Sequence, residues 1–220
     1  MTESSHATAA RVGAAPHYNG RRFSEVMEAL AACDEERISV ARILDAFGDR
    51  AFGALMLVFA APNILPAPPG TSAVLGAPLL FITAQLMVGR SVLWLPRFIT
   101  ERSLSRSDFA TFVGWMRPWF ARAERLLRPR AHALLGPLQD RVIGAITLVL
   151  AIILFLPIPF GNITTGIPIA FFALGLVERD GYAVVAGWVA TAGCFAVLAV
   201  VWGAIVAALA AFVGYFFPGV

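Results

Sequence analysis

The chain contains one apolar sequence twice, and this internal repeat limits the possible folds more than any other feature. The first copy begins RAFGALMLVFAAPNILPAPPG at Arg50, and the second begins RVIGAITLVLAIILFLPIPFG at Arg141. Each copy consists of an apolar arm, a P-x-P-x-G break and a second apolar arm. A shift of 91 residues, reduced to 90 after the break, superposes identical residues: Arg50 on Arg141, Gly53 on Gly144, Leu57 on Leu148, Leu65 on Leu156, Pro66 on Pro157, Pro68 on Pro159, Gly70 on Gly161, Gly76 on Gly166, Pro78 on Pro168 and Phe81 on Phe171.

The two breaks are predicted to interrupt helices. Proline lacks a backbone N–H and clashes with the carbonyl one turn back, so closely spaced prolines cannot continue a helix. Duplicated apolar units with such interruptions point to midplane binding sites in membrane transporters. A duplicated hairpin whose breaks are only turns gives the same pattern, and the sequence leaves both interpretations open. The predicted break residues are Pro66, Pro68, Gly70, Pro157, Pro159 and Gly161.

The composition is that of an integral membrane protein. Hydrophobic residues make up 59% of the chain and charged residues 14%, whereas soluble domains carry about 25% charged residues. A membrane-spanning helix needs about 17–25 apolar residues. Four of the uncharged stretches, of 15 to 18 residues, lie near or below the lower end of this range, and the fifth is too long for one perpendicular helix. These stretches are 51–65, 72–89, 142–158, 163–177 and 183–217.

These patterns predict an all-α integral membrane protein built in segments. Two amphipathic helices, capped by Ser24 and Ser39, lie on the membrane surface or pack on the connector, and Gly48 ends the second. The C-terminal segment is one tilted helix or a further hairpin. The predicted segments are a disordered tail (1–20), the amphipathic helices (21–49), the first hairpin (50–90), a basic amphipathic connector (91–140), the second hairpin (141–181) and a C-terminal transmembrane segment (182–220).

The distribution of arginine predicts the topology. All seventeen basic residues are arginine: six precede the first arm, ten lie from Arg90 to Arg141, and one is Arg179. Arg-rich short segments stay in the cytoplasm. No apolar h-region of a signal peptide precedes Ala51. The N-terminus and the connector are therefore expected on the cytoplasmic side, with both hairpins entering and leaving there.

The connector interleaves aromatic and basic residues. Trp94, Trp115 and Trp119 lie among its arginines. Such a segment forms a membrane-surface collar or recognises an anionic lipid headgroup. Binding of nucleic acid is not expected between two membrane hairpins.

Polar residues within the apolar units are candidate ligand contacts. Asn63 and Thr71 flank the first break, and Asn162 and Thr164 flank the second. They line a shared pocket or cap the helix after each break. Gln85, in the second arm of the first hairpin, contacts a neighbouring helix or a substrate.

Arg50 and Arg141 occupy the same position at the start of each repeat. They form a phosphate-binding pair or anchor the helices at the lipid headgroups.

Catalytic, metal and cofactor sites are not predicted. His6 and His17 lie in the tail, and His132 stands alone in the connector. No nucleotide-binding, zinc-protease or nucleophile-elbow motif is present. Cys33 and Cys194 have no metal-binding spacing. The sequence therefore favours a protein that is not an enzyme.

Several runs together resemble the ExoD-type exopolysaccharide synthesis family. They are LPAPPGTSAVLGAPLL with Gln85 and WLPRF after it, then LPIPFGN and ERDG, and the resemblance covers residues 22 to 205. It implies a bacterial inner-membrane protein involved in exopolysaccharide production, with no assigned reaction. Its characteristic positions include Pro66, Pro68, Pro69, Gly70, Gln85, Trp94, Pro96, Arg141, Pro157, Pro159, Gly161, Asn162, Asp180 and Gly181.

Two functions follow from these expectations. A transporter or flippase would bind a lipid-linked precursor carried on polyprenyl phosphate, drawing in its phosphate with arginine. A non-transporting scaffold would use the hairpins for packing and the connector for contacts with other polysaccharide-synthesis proteins. The expected partners are anionic membrane lipids in either case.

Overall fold

The computed structural model describes residues 22–33, 35–64, 71–90, 92–126, 136–156 and 161–216. The predicted tail and the break residues Pro66, Pro68, Gly70, Pro157 and Pro159 lie outside the described residues. Within them the chain is mostly helical. The helices are α1 (Phe23–Ala31), α2 (Val40–Phe47), α3 (Ala51–Ala60), α4 (Thr71–Val88), α5 (Arg97–Thr100), α6 (Arg106–Leu126), α7 (Pro137–Phe155), α8 (Gly161–Glu178) and α9 (Gly181–Phe216), with 3₁₀ turns at Gly48–Arg50 and Ala61–Ile64.

The structure adds two short strands to the predicted all-α fold. β1 (Arg37–Ser39) pairs antiparallel with β2 (Ser103–Ser105), with Ile38 opposite Leu104. The Arg37 guanidinium strengthens the pairing by donating from Nε to Ser103 Oγ at 2.8 Å. Strands of three residues are too short to show an alternating pattern in the sequence, so the all-α prediction was wrong at this point.

The N-terminal helices pack on the connector helix α6. The Phe23 ring stacks on the Phe47 ring, with 5.1 Å between the ring centroids, and makes an edge-to-face contact with the Phe120 ring at a centroid distance of 5.0 Å. Arg117 of α6 forms an ion pair with Glu28 of α1 at 2.9 Å. This joins segments that are far apart in the sequence into one packed unit.

One of the two predicted helix caps is present. Ser39 Oγ accepts from the N–H of Arg42 at 3.2 Å, and Gly48, whose φ is 51°, is the C-cap that follows the last helical residue, Phe47. The prediction that Ser24 caps the first helix was wrong, because α1 begins one residue earlier, at Phe23. Its N-cap is Arg22, whose N–H donates to the Glu25 side chain at 3.4 Å.

Four helices form the central bundle, and each first arm packs against the second arm of the other repeat. α3 lies against α8, and α4 lies against α7. Every residue of α3 is buried, so this helix forms the centre of the bundle.

Glycines allow these helices to approach closely. A Cβ at Gly53 would lie 2.8 Å from Val177 Cγ2, and one at Gly144 would lie 2.7 Å from the backbone of Leu86. At the other end of the bundle, a Cβ at Gly76 would lie 3.6 Å from Cα of Phe155, and one at Gly166 would lie 3.3 Å from Cγ1 of Ile64. Small residues are what close packing of apolar helices requires.

Among the described residues, three helices are long and apolar enough to cross a membrane: α7, α8 and the Gly181–Phe212 part of α9. The C-terminal segment, for which the sequence left one or two helices open, is a single helix of 36 residues. α7 begins at Pro137 rather than at the predicted Arg141. Proline is favoured in the first turn of a helix. Pro137 therefore allows α7 to begin before the apolar stretch that starts at residue 142.

Candidate functional site

An arginine-lined cavity of about 400 Å³ lies at one end of the central bundle. At this end α3 and α7 begin, and α4 and α8 finish. The cavity is therefore bordered by both repeats. Its lining residues are Asp49, Arg50, Phe52, Gly53, Leu86, Gly89, Arg90, Gly136, Pro137, Asp140, Arg141, Leu176 and Arg179.

The charges of the lining favour an anion. Four arginines face two aspartates, Asp49 and Asp140, which leaves an excess of two positive charges. In addition, the N-cap of α7 is Gly136, which offers no side chain to the first N–H groups of that helix. A helix N-terminus carries partial positive charge and adds to the attraction.

Arg50 stabilises the end of α8. Its guanidinium donates a hydrogen bond to the carbonyl of Val177, in the last turn of that helix. A cation in this position satisfies an otherwise unpaired carbonyl and opposes the negative end of the helix dipole. Arg50 thus has a structural role in addition to its place in the cavity wall.

Arg141 lies over the end of α4. A Cβ at Gly89 would be 3.0 Å from Cζ of Arg141. The absence of a side chain at Gly89 therefore leaves room for the guanidinium. Arg50 and Arg141, predicted as a pair from the repeat, both line the cavity.

α4 and α8 end in the same backbone geometry. Gly89 has a φ of 80° and Arg179 a φ of 52°. The N–H of the following residue then bonds back to the helix, from Arg90 to Gln85 O and from Asp180 to Gly175 O, each at 3.1 Å. This helix termination normally uses glycine in the left-handed position, which makes Arg179 unusual there.

The two acidic residues moderate the site. The charges of Arg179 and Asp140 are close enough to interact. In the part of the chain that the structure describes, no group of three His, Cys, Asp or Glu side chains is placed to hold a metal ion. The cavity thus combines guanidinium donors with two carboxylates.

The predicted polar residues Asn63, Asn162 and Thr164 do not line this cavity. Asn63 is buried and donates to the carbonyl of Phe59 at 2.7 Å, and Thr164 donates to Gly161 O at 3.1 Å. Asn162 Oδ1 is buried and has no hydrogen-bond partner among the described residues. The side chain of Thr71 lies outside the described residues. Asn63 and Thr164 thus bond to their own helical turns.

Gln85 fixes the chain that follows α4. Its amide accepts from the N–H of Trp94 at 2.9 Å and donates to the carbonyl of Trp94 at 2.6 Å. The contact is with the backbone of the 92–96 segment rather than with a neighbouring helix. Gln85 therefore connects the first hairpin to the start of the connector.

Four charged cavity residues were missed in the sequence, although two signals mark them. Asp49 and Asp140 directly precede the paired arginines, so each repeat begins with the dipeptide Asp-Arg. Arg90 directly follows the uncharged stretch 72–89, and Arg179 follows the stretch 163–177 after Glu178. With the offset of 90 residues, each of these two arginines lies next to the position equivalent to the other. Both signals come from extending the repeat beyond its apolar part.

Comparison with known proteins assigns the family. The family model described as "Exopolysaccharide synthesis, ExoD" matches residues 23–200. Protein ExoD of Rhizobium meliloti is 29% identical over 177 residues, which covers 77% of this chain and 73% of that protein. An uncharacterised protein of Synechocystis is 29% identical over 154 residues, covering 69% of this chain and 73% of its own length. No solved structure matches the chain.

The family model covers most of the chain, so the protein belongs to the ExoD family of exopolysaccharide synthesis. Membership implies involvement in exopolysaccharide synthesis. The resemblance seen in the sequence motifs is thereby confirmed.

Proposed function

We propose that this member of the ExoD family is a multi-pass inner-membrane protein that binds the phosphate of a lipid-linked precursor in the arginine-lined cavity. Polysaccharide precursors carried on polyprenyl phosphate combine a phosphate group with an apolar chain. A cavity at the end of apolar helices, with guanidinium groups in its wall, suits that combination. The protein is not proposed to be an enzyme.

The observation that carries the proposal is the convergence of both repeats on one cavity. Arg50 and Arg141 come from equivalent positions 91 residues apart, and Arg90 and Arg179 come from the ends of the two second arms. Arginines that served only as membrane anchors would have no reason to gather around one opening. Guanidinium groups also bind phosphate through two parallel hydrogen bonds.

The paired helix contacts support a structural repeat. Gly53 contacts Val177, and the equivalent residues of the other repeat, Gly144 and Met87, are also in contact. In the same way, the contact of Gly76 with Phe155 is equivalent to that of Gly166 with Ile64. Residues before the break are related by the offset of 91, and residues after it by the offset of 90. We propose that the two hairpins are related by a pseudo-twofold axis through the bundle. The cavity would lie close to that axis, because equivalent residues of both repeats form its wall.

The experiment compares exopolysaccharide output in cells that carry only a variant protein. Arg141→Lys keeps the charge and loses the planar fork, so output should fall while protein abundance stays near wild type. Arg97→Lys is the matched control, because Arg97 is exposed and outside the cavity. Arg50 is less informative, since its bond to Val177 makes it part of the fold. Normal output from Arg141→Lys would leave only an anchoring role.

A scaffold or assembly factor is the second candidate. The tight glycine contacts and the polar residues bonded within their own turns favour a rigid bundle over an open path. A scaffold would need the fold and its partners but no phosphate recognition. Output that follows protein abundance in every cavity variant would support this candidate.

A further inference from the structure

A second cavity, the apolar groove, runs between the connector helix α6 and the bundle helices α3 and α8. Its volume is about 470 Å³. All its lining residues are apolar: Leu57, Ala61 and Ile64 from α3 and the 3₁₀ turn, Trp115, Met116 and Phe120 from α6, and Ile167, Ala170, Phe171 and Leu174 from α8.

The groove has a buried floor and an open rim. Leu57, Ala61 and Ala170 on the floor are buried, whereas Phe171 on α8 is 38% exposed and Trp115 on α6 is 46% exposed. The two alanines in the floor leave the space that larger side chains would fill. Among these residues the indole N–H of Trp115, at the rim, is the only polar side-chain group.

The position of the groove limits what can fill it. Ile167 to Leu174 lie in the middle of α8, one of the helices long and apolar enough to cross a membrane. The facing wall, α6, is held from its other side by the Arg117–Glu28 ion pair and by Arg106, which donates to the carbonyl of Ala31 at 3.3 Å. The wall is thus held in place without any occupant of the groove.

We propose that the apolar groove binds a hydrocarbon chain of a membrane lipid. An apolar cleft of this size is costly in water, and at membrane depth the surrounding material is lipid hydrocarbon. A lipid chain is narrow enough to lie along a floor of alanines and gains free energy with each methylene that it buries. Trp115 marks the end near the headgroups, where tryptophan is preferentially found.

The inference goes beyond the proposed function, because it does not require that the arginine-lined cavity bind phosphate. The groove shares no lining residue with that cavity. A lipid without a phosphate monoester therefore tests the groove alone.

The test is photo-crosslinking in vesicles of phosphatidylcholine that contain a trace of phosphatidylcholine with a diazirine in its acyl chain. Label is mapped to peptides by mass spectrometry. Residues 115–120 of α6, which lie outside the candidate membrane spans, should be labelled as strongly as the exposed surface of α9. Label on α6 no higher than on α1, which packs on α6 away from the groove, would overturn the proposal.

Two variants separate the groove from general contact with lipid. Ala170→Leu fills the floor and should reduce the α6-to-α9 labelling ratio at least about threefold, because the displaced methylenes lose their burial. Ile167→Asn makes the rim polar and should act in the same direction without a steric change in the floor. The matched controls Ala196→Leu and Ile152→Asn alter exposed residues outside the groove and should leave the ratio unchanged. An unchanged ratio in folded Ala170→Leu and Ile167→Asn proteins would contradict a chain in the groove.

Discussion

Arg179 adopts a left-handed backbone conformation that residues other than glycine seldom adopt. Its φ is 52°. In the first repeat the equivalent position, 90 residues earlier, is Gly89, which has a φ of 80°. A non-glycine residue in such a conformation is strained by about 1–3 kcal/mol. Such conformations cluster at functional sites, and here the Arg179 side chain lies in the cavity wall, close enough to Asp140 for their charges to interact.

This leads to a prediction in which stability and function change in opposite directions. Arg179→Gly should leave the melting temperature unchanged or raise it, because glycine adopts this φ without strain. Exopolysaccharide output should fall, because the cavity loses a positive charge. Arg179→Asn, which also tolerates the left-handed region, should behave in the same way. Full output from both variants, measured at equal protein abundance, would show that the Arg179 charge is not needed.

Single residues also explain why part of the site could be predicted. Arg50 and Arg141 were found because identical residues recurred at a fixed offset. For Gln85 the sequence predicts contact with a neighbouring helix or with a substrate, whereas its side chain bonds to the backbone of Trp94, nine residues later. A backbone partner in an irregular segment leaves no side-chain pattern, so sequence reasoning could not identify it.

At the scale of elements, the glycine contacts determine how the arms cross. The backbone of α4 at Leu86 and Met87 lies directly against Gly144 of α7. Backbone atoms cannot move aside as the end of a flexible side chain can.

Helix lengths were partly predictable because apolar runs mark them, whereas the pairing of α3 with α8 and of α4 with α7 was not. Both arms of each hairpin are apolar on all sides, and such helices carry no stripe that identifies a partner.

Gly144→Ala tests this close contact. The added Cβ would lie 2.7 Å from Cα of Met87, so the helices must separate, and overpacking typically costs about 1–3 kcal/mol. Gly193→Ala in α9 is the control, since nothing lies within 4 Å of a Cβ there. It should stabilise the helix by up to about 1 kcal/mol. Thermal unfolding in detergent measures both, and equal melting temperatures would mean that α4 and α7 do not approach this closely.

The length of α9 distinguishes it from the bundle helices. Its 36 residues span about 54 Å at 1.5 Å per residue, against a hydrocarbon core of about 30 Å. Side chains in its distal half are exposed, among them Val200 at 73% and Trp202 at 69%. The sequence indicated the excess length but not the continuity, because isolated glycines such as Gly193 and Gly203 are tolerated within helices.

At the scale of the whole molecule, all four bundle arms have their charged ends together. α3 and α7 begin at the arginine-lined cavity, α4 and α8 return to it, and α9 starts there and runs away from it. The positive-inside rule predicts that the arginines lie on the cytoplasmic side, and both hairpins are then expected to enter and leave from the cytoplasm. A single crossing by α9 would place its C-terminal end on the opposite side.

Cysteine labelling in intact cells tests this orientation in a variant without Cys33 and Cys194. Ser107→Cys on α6 should react with an impermeant reagent only after the cells are permeabilised. Tyr215→Cys near the end of α9, where the side chain is 81% exposed, should react without permeabilisation. Labelling of both positions from the same side would contradict the topology.

The proposed recognition of phosphate by the arginine-lined cavity is tested most directly by comparing the binding of farnesyl monophosphate and of farnesol to the purified protein. The wild-type protein should bind the phosphate form at least about tenfold more tightly, because hydrogen bonds to a charged group contribute about 1.5–3 kcal/mol. Arg90→Gln combined with Arg141→Gln should remove this preference and leave farnesol binding unchanged. The control pair Arg97→Gln and Arg102→Gln, at exposed arginines outside the cavity, should retain it. Equal affinity of the wild-type protein for the two compounds, or a preference that survives in the Arg90 and Arg141 variant, would contradict the account.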